Sequence, residues 1–368
     1  MVSRTDANVR EATPRASAKA KHVSALGLAC FGALACGGVE DSNVFDTSTR
    51  EMPLAARAAA LTSAEPDLGE PRLHGYLFDE QGFRAIDVPH AAQTHASNVN
   101  RGGEIVGTYS DDAGVAHGFL RHKDGSFETL DHPNAETTFL HRINDKGQIV
   151  GAYHETASAP RQGFLYEAGR FIAVSVSGAE ATDANGINEQ GQVAGWYRMQ
   201  GDAVSYVHGM IWQNGSVKTL DIPERSTQPS DINDAGDVAG FYLSPTDISD
   251  PADVTEAAGF FVQDGQTTTF NAPGYPYASA NGINNPRASG GSVQIAVGAY
   301  RDLSGEGGSP AAFVLWEGIA GPFTSNDVPG ADYTEAFDVS DCGQVVGDFI
   351  ARGEPAIPTL AGEVAGCK

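Results

Sequence analysis

Two phrases of mixed apolar and polar residues recur along the chain between residues 73 and 349. One reads Ile-Asn-x-x-Gly-Gln-Val-Val-Gly-x-Tyr, as at Ile143–Tyr153 and Ile187–Tyr197. The other begins with His-Gly-Phe-Leu, passes a glycine turn and ends on Asp-x-Pro, as from His117 to Pro133. Both phrases occur six times at a period of about 45 residues, which is typical of a repeat architecture.

Each phrase has the pattern of a β-hairpin. Asn-Asp-Lys-Gly and Asn-Glu-Gln-Gly separate runs of β-forming residues, so Asn can cap the turn while Gly147 and Gly191 take positive φ. A full period therefore predicts four strands: one ending at Ile-Asn, one on Gln-Val-Val-Gly-x-Tyr, one on Gly-Phe-Leu and one before Asp-x-Pro. The continuous apolar pair Ile149 and Val150 predicts strands covered on both faces.

Repeated sheets of four strands, packed between their neighbours, predict an all-β chain folded as a six-bladed β-propeller. The repeat region begins with the Gly-Phe-Leu phrase and ends with the Ile-Asn phrase. We therefore expect one blade to be shared between N- and C-terminal strands, which closes the ring. An open solenoid is the structural alternative, and a seventh blade that uses the tail is another.

The motifs His-Gly-Phe-Leu at His117–Leu120 and Ile-Asn-x-x-Gly-Gln-Ile-Val-Gly-x-Tyr at Ile143–Tyr153 resemble the HAF-type "probable extracellular repeat" family of bacterial envelope and secreted proteins. The resemblance covers roughly residues 73–349 and implies a propeller-like fold and an extracytoplasmic location, without an activity. The third copy departs from the pattern with Ser175 and Ser177 in place of Asp and Pro, and the sixth has Ala312 for Gly.

The N-terminal segment has the layout of a secretory signal, with basic residues before an apolar run that ends at Cys36. Cys36 directly follows Ala33-Leu-Ala, so we expect a lipoprotein signal whose Cys36 is acylated; plain secretion and an uncleaved, disordered N-terminus are the alternatives. The predicted organisation is a signal peptide over 1–35, a flexible tether over 36–72, the propeller over 73–349 and a C-terminal tail over 350–368.

The charge balance limits the partners. The chain has 23 Lys and Arg against 47 Asp and Glu, a formal net charge of −24, so nucleic acid is not an expected partner because its binding needs basic patches. We expect an extracellular protein or a glycan as partner, and membrane contact only through the N-terminal lipid.

The connections between repeats differ in regularity. The turns within the Ile-Asn phrase are short and repetitive, whereas the loops that follow it vary strongly in length and composition, as at 110–116, 154–161 and 243–257. Variable loops on a regular scaffold are the usual place for recognition, so any binding site is expected on the face that carries them. The third of these loops contains four acidic residues that form a candidate cation site: Asp247, Asp250, Asp253 and Glu256. The alternative is that these residues only form a solvated acidic loop.

Histidines concentrate in the first half of the repeats. His74, His117 and His208 occupy one repeat position, and the recurring Asp87, Asp131, Asp221 and Asp327 another, so both sets are interpreted as structural. Four other histidines fall on or beside connections of adjacent blades and form a candidate metal or ligand site, since neutral imidazoles bind zinc and similar ions: His90, His95, His132 and His141. A divalent metal is therefore a possible cofactor, and scattered surface histidines are the alternative.

Signatures of common catalytic sites are missing from the sequence: it contains no P-loop, no Gly-x-Ser-x-Gly, no His-Glu-x-x-His and no Cys-x-x-Cys. Cys342 and Cys367 are expected to form a disulfide in an oxidising compartment, with two free thiols as the alternative. The sequence favours a non-enzymatic, lipid-tethered binding or scaffold module. The alternatives are a hydrolase or lyase with a His and acid site on the variable-loop face, and a purely structural envelope component.

Overall fold

The chain folds as a six-bladed, all-β propeller. The computed structural model describes residues 71–360 and Val364, apart from residue 205 and segments 246–253, 272–276, 286–295, 302–310, 316–322 and 353–356. All regular structure in these residues is β, and no helix among them could cross a membrane.

Each blade is a sheet of four antiparallel strands, called A to D from the channel outward. Blade 1 comprises β3 (Gln93–Val99), β4 (Ile105–Ser110), β5 (Ala116–Arg121) and β6 (Phe127–Thr129). Blade 2 comprises β7 (Thr137–Ile143), β8 (Ile149–His154), β9 (Gln162–Glu167) and β10 (Arg170–Val174). Blade 3 comprises β11 (Ala179–Ile187), β12 (Val193–Met199), β13 (His208–Gln213) and β14 (Ser216–Thr219). Blade 4 comprises β15 (Ser226–Ile232), β16 (Val238–Pro245), β17 (Val254–Gln263) and β18 (Gln266–Phe270). Blade 5 comprises β19 (Tyr277–Ile283), β20 (Ala296–Arg301), β21 (Ala311–Leu315) and β22 (Phe323–Ser325). Blade 6 comprises β23 (Tyr333–Val339), β24 (Val345–Arg352), β1 (Pro71–Asp79) and β2 (Gly82–Ile86).

Blade 6 contains strands from both ends of the repeat region. Its order is β2-β1-β24-β23, and β1 pairs antiparallel with β24 from Pro71 opposite Arg352 to Phe78 opposite Val345. Blades 4 and 5 are joined by one parallel bridge between Ala257 and Tyr277. The ring places every A strand around one central channel.

The repeated histidines and aspartates contact each other. His117 Nδ1 lies 2.8 Å from Asp131 Oδ2, and the Gly118 amide donates to Asp131 Oδ1 at 3.0 Å. The same carboxylate therefore ties the start of a C strand to the chain that leaves the D strand. His208 with Asp221 repeats this contact at 2.8 Å, in agreement with the structural role expected for both sets.

The A–B turns form a ladder around the channel. Asn144 Nδ2 donates to Asn188 O at 3.1 Å in the next blade, while Asn144 Oδ1 accepts from the backbone of its own turn. Gly147 and Gly191 have φ of 74° and 72°, which confirms the left-handed turn geometry expected of them.

Apolar residues from neighbouring blades pack face to face. Val150 and Leu165 of blade 2 share a core cluster with Trp212 of blade 3. Trp196 instead packs on Ala181 of its own blade.

Candidate functional site

Every A strand carries a β-bulge near its end. The pairing with the B strand shifts register at the same place in each blade, and this shift leaves one residue without a partner on the neighbouring strand. Bulges bend a strand and redirect its side chains, and they are frequent beside active sites. The unpaired residues are Ser97, His141, Asn185, Ser230, Asn281 and Phe337.

The bulged strands surround a cavity of about 290 Å³, here called the axial cavity. It opens on the face of the variable B–C loops, since Ser110, Ala116 and Arg161 at the ends of two such loops line it. Every blade contributes to its wall. One lining residue from each of blades 1 to 6 is, in order, His95, His141, Asp183, Gln228, Asn281 and Glu335.

The glycine of the Val-Gly-x-Tyr phrase positions these residues. At Gly151 on β8, a Cβ atom would lie 2.0 Å from the carbonyl oxygen of Phe139 on β7, so only glycine admits this approach of the two strands. At Gly195, a Cβ atom would likewise lie 2.1 Å from the carbonyl oxygen of Asp183. The repeated glycine thus fixes the backbone of a cavity residue in its blade.

One wall of the cavity holds an ionised aspartate between two basic side chains. Asp183 Oδ2 accepts from Arg161 Nη1 at 2.6 Å, and Asp183 Oδ1 lies 3.1 Å from His141 Nε2. Burial alone would raise the pKa of Asp183, but the Arg161 and His141 charges outweigh it and hold the pKa at about 2. The Arg161 guanidinium also lies 5.0 Å from the centre of the Phe139 ring.

The opposite wall holds two buried acids and an imidazole. His95 Nδ1 contacts Asp348, whose other oxygen accepts from the Ala96 amide at 3.1 Å. Glu335 accepts hydrogen bonds from Tyr333 and, at 3.0 Å, from Asn281. Burial, together with the charge of Asp348, raises the pKa of Glu335 to about 7. The Glu335 carboxyl therefore binds and releases its proton near neutral pH.

Arg142 forms the floor of the axial cavity. Its Nη1 donates to Ser97 O at 2.8 Å, and its Nη2 to Asn281 O at 2.5 Å and Phe337 O at 2.8 Å. These three acceptors are bulge carbonyls of three other blades. A smaller cavity of about 80 Å³ lies on the A–B turn side, with Arg142 again in its lining. Arg142 therefore divides the channel into two compartments.

Two buried aspartates complete the floor. Arg142 Nε lies 3.4 Å from Asp231 Oδ1 and 3.9 Å from Asp338 Oδ1. Asp231 also accepts from the Ile283 amide at 3.0 Å. Burial raises the pKa of both carboxyls, that of Asp338 to about 7, with the charge of Asp231 adding to the increase for Asp338. The Arg142 guanidinium is therefore the positive group that faces both buried carboxyls.

Several buried polar atoms around the cavity have no hydrogen bond within the described part of the chain. They are Ser97 Oγ, His141 Nε2, Arg142 Nε and Asp183 Oδ1, of which the last three have only the ionic contacts given above. Since buried polar groups in native proteins are nearly always satisfied, each such group needs an explanation. Of these four atoms, Ser97 Oγ lacks both a hydrogen bond and an ionic contact among the described residues, and Ser97 lines the axial cavity.

The structure separates the four histidines of the candidate metal site. His95 and His141 line the axial cavity, where each contacts an aspartate. His90 is exposed after β2, and His132 stacks on Tyr153 with ring centres 3.7 Å apart. Among the described residues, no three His, Cys, Asp or Glu side chains converge as metal ligands.

The other predicted site residues fall mostly outside the described part of the chain. This holds for Cys36, Cys367 and the acidic loop residues Asp247, Asp250 and Asp253; Glu256 lies on β17, but its side chain is not described. Cys342 is disulfide-bonded. Its pairing with Cys367 stays a prediction.

The sequence did not predict most of the residues that line the axial cavity. The sequence interpretation dismissed repeated acids, which left Asp183, Glu335 and Asp348 without comment. A signal is nevertheless present when the six A strands are aligned on their final Ile or Val. The fifth residue before the end is mostly Thr and the third mostly Ala, whereas the fourth differs in every blade: His95, Phe139, Asp183, Gln228, Ser279 and Glu335. Five of these six residues line the axial cavity, and Ser279 is the exception.

Comparison with known proteins supports the fold. No family model matches the chain, and no curated protein matches it. A protein described as TolB from Agrobacterium tumefaciens superposes with a TM-score of 0.51 at 13% identity, covering 77% of this chain and 99% of that one. AofleA from Arthrobotrys oligospora gives 0.45 at 10% identity over 77% and 84% of the two chains. The fucose-specific lectin of Aleuria aurantia gives 0.37 at 11% identity over 76% and 84%. The similarity to the first of these proteins concerns the propeller fold alone.

Proposed function

We propose that this protein is an extracytoplasmic binding module whose propeller takes a small polar ligand of the glycan class in the axial cavity. The observation that carries the proposal is a cavity on the variable-loop face that is lined by polar side chains, among which the Gln228 amide and Ser97 Oγ have no hydrogen bond within the described residues. A scaffold that only packed blades together would be expected to satisfy or replace such groups, because leaving one unpaired costs about 1–3 kcal/mol.

The cavity has the composition of a binding pocket. Its volume of about 290 Å³ is at the lower end of the range for small-molecule sites. The partly accessible rings of Tyr109, Phe139 and Phe337 alternate with polar side chains such as Asn185. Aromatic faces together with a few fixed polar groups suit a ligand that has both apolar faces and hydroxyl groups.

The proposed location and anchor rest on the sequence and on one covalent bond. The disulfide at Cys342 is a type of bond that persists in oxidising compartments. The signal-like N-terminus ending at Cys36 would supply the lipid that holds the protein at a membrane. Labelling of bacteria that express the chain with a radioactive fatty acid should mark the wild type, and Cys36→Ser should abolish the label. A label that survives the substitution would contradict the anchor.

A glycan array tests the binding function. The full-length protein is applied beside Ser230→Trp, which places a large ring at the cavity wall, and beside Val217→Trp on the exposed outer strand β14. We expect at least one glycan to retain the wild type and Val217→Trp but not Ser230→Trp. Circular dichroism and urea unfolding check that both variants are folded. Retention that is insensitive to Ser230→Trp would place binding elsewhere, and retention by no glycan would refute the ligand class.

A further inference from the structure

The axial cavity is closed at its inner end. The Arg142 guanidinium bridges bulge carbonyls of blades 1, 5 and 6, and the compartment beyond it holds only about 80 Å³. A ligand that enters from the loop face therefore meets a floor of hydrogen-bonded backbone. A long chain could insert one of its ends but could not thread through the propeller.

Most charges at the cavity are paired with one another, and Glu335, which has no ion pair among the described residues, accepts hydrogen bonds from Tyr333 and Asn281. Arg161 is paired with Asp183 at 2.6 Å, Arg142 with Asp231 at 3.4 Å, and His95 with Asp348. A charged ligand would have to displace one of these buried partners, which is costly because it leaves the other charge unpaired. The net charge of −24 on the whole chain further disfavours anionic polymers. The cavity therefore suits a neutral ligand.

Polar groups that could bind hydroxyls come from three successive blades. Asp183 faces Nε2 of His141, which leaves Nδ1 of that ring without a hydrogen bond inside the described chain. Nδ1 of His141 can donate to a hydroxyl when the ring is charged, as in its effect on Asp183, and can accept from a hydroxyl when the ring is neutral. Asn185 donates through Nδ2 to Pro229 O at 2.9 Å and keeps its Oδ1 as an acceptor. Gln228 is 2% exposed, lines the cavity, and its amide has no hydrogen bond within the described residues.

Apolar walls stand beside these groups. Phe139 and Phe337 come from A strands of blades 2 and 6, and both rings remain partly accessible in the cavity. A pyranose ring has C–H faces that can pack on such rings and equatorial hydroxyls that can reach amides and imidazoles. Anionic metabolites find no unpaired cationic side chain here, and purely apolar ligands would leave Gln228 and His141 unsatisfied.

We infer that the axial cavity binds the terminal residue of a neutral glycan end-on, with Gln228, Asn185 and His141 contacting its hydroxyl groups. This inference rests on the proposed function and adds which part of the glycan is recognised. Internal residues of a chain are excluded because, within the part of the chain that the structure describes, the cavity opens on the loop face and is closed by Arg142 at its other end. One of the two ends of the glycan, and not both, therefore determines affinity.

Calorimetric titration with defined oligosaccharides tests this inference. The probes are linear neutral tetrasaccharides of glucose, galactose and mannose, each used free, with a bulky substituent on the non-reducing residue, and with the same substituent on the reducing end. The full-length wild type is compared with Gln228→Ala and with His141→Gln, and His122→Gln outside the cavity is the matched control. Ser230→Trp again reports on blockage of the cavity.

We expect one tetrasaccharide to bind, and a substituent at one end to weaken binding at least 100-fold while the other end tolerates it. Gln228→Ala and His141→Gln should each weaken binding about tenfold or more, and His122→Gln less than twofold. Binding lost in Ser230→Trp but indifferent to substituents at either end would overturn end-on recognition and leave the proposed function standing. Binding that survives Ser230→Trp, or no binding by any probe, would overturn both.

Discussion

The substitution Arg142→Met tests whether one guanidinium holds the centre of the ring together. Arg142 donates to backbone carbonyls of three other blades and is the basic residue beside Asp231 and Asp338. Methionine keeps much of the side-chain volume but removes the charge and all of these hydrogen bonds. Removing one partner of a buried ion pair costs about 3–5 kcal/mol, and we expect a loss of this size in the free energy of unfolding at pH 8.

The loss should depend on pH. The pKa of Asp338 is about 7 in the folded protein, so at pH 5 this carboxyl is neutral and needs no counter-charge. The destabilisation by Arg142→Met should therefore be smaller at pH 5 than at pH 8. Adding Asp231→Asn and Asp338→Asn to the variant should recover part of the lost stability at pH 8, because the uncompensated charges are then gone.

Urea unfolding followed by tryptophan fluorescence measures these differences. Arg170→Met is the control, since Arg170 is exposed on β10 and its replacement should change stability by no more than about 0.5 kcal/mol. A loss below about 1 kcal/mol in Arg142→Met, or no recovery in the triple variant, would refute the view that buried charges at the floor depend on this arginine.

Three further outcomes are expected. The folded protein keeps the Glu335 proton up to about pH 7, whereas an unfolded Glu releases it near 4.5, so Glu335 makes stability fall as pH rises between these values. Glu335→Gln should remove about 3 kcal/mol of that fall. Equal urea-unfolding profiles of the wild type and the variant from pH 5 to 8 would contradict this. Gly147→Ala should cost about 1–2 kcal/mol through its left-handed φ, and Gly151→Ala more, because its Cβ would lie 2.0 Å from a carbonyl oxygen; the reverse order in urea unfolding would contradict the close-approach argument. A peptide map without reduction should show Cys342 linked to Cys367, whereas alkylation of both thiols in the unreduced protein would reject the bridge.

The candidate site was predicted only in outline. The sequence predicted that any binding site would lie on the variable-loop face, and the axial cavity opens there, with His95 and His141 in its wall. The metal-site hypothesis grouped these two with His90 and His132, which lie apart from them because connections after the D strands are at the outer edge of a blade. Asp183 was missed because its importance comes from Arg161 and His141, which reach it from another blade.

The sequence by itself determined the repeat, the four strands of each blade and the number of blades. Turn chemistry and apolar patterning act over a few residues, so Asn-Asp-Lys-Gly predicts the turn at Gly147 wherever that segment lies in the fold. Only the tertiary structure decided the site. Each A strand supplies one or two side chains that differ from blade to blade, and closing the ring brings His141 beside Asp183 and Arg142 beside Asp231. These contacts join residues distant in sequence, and the bulge that turns them toward the channel depends on pairing between strands.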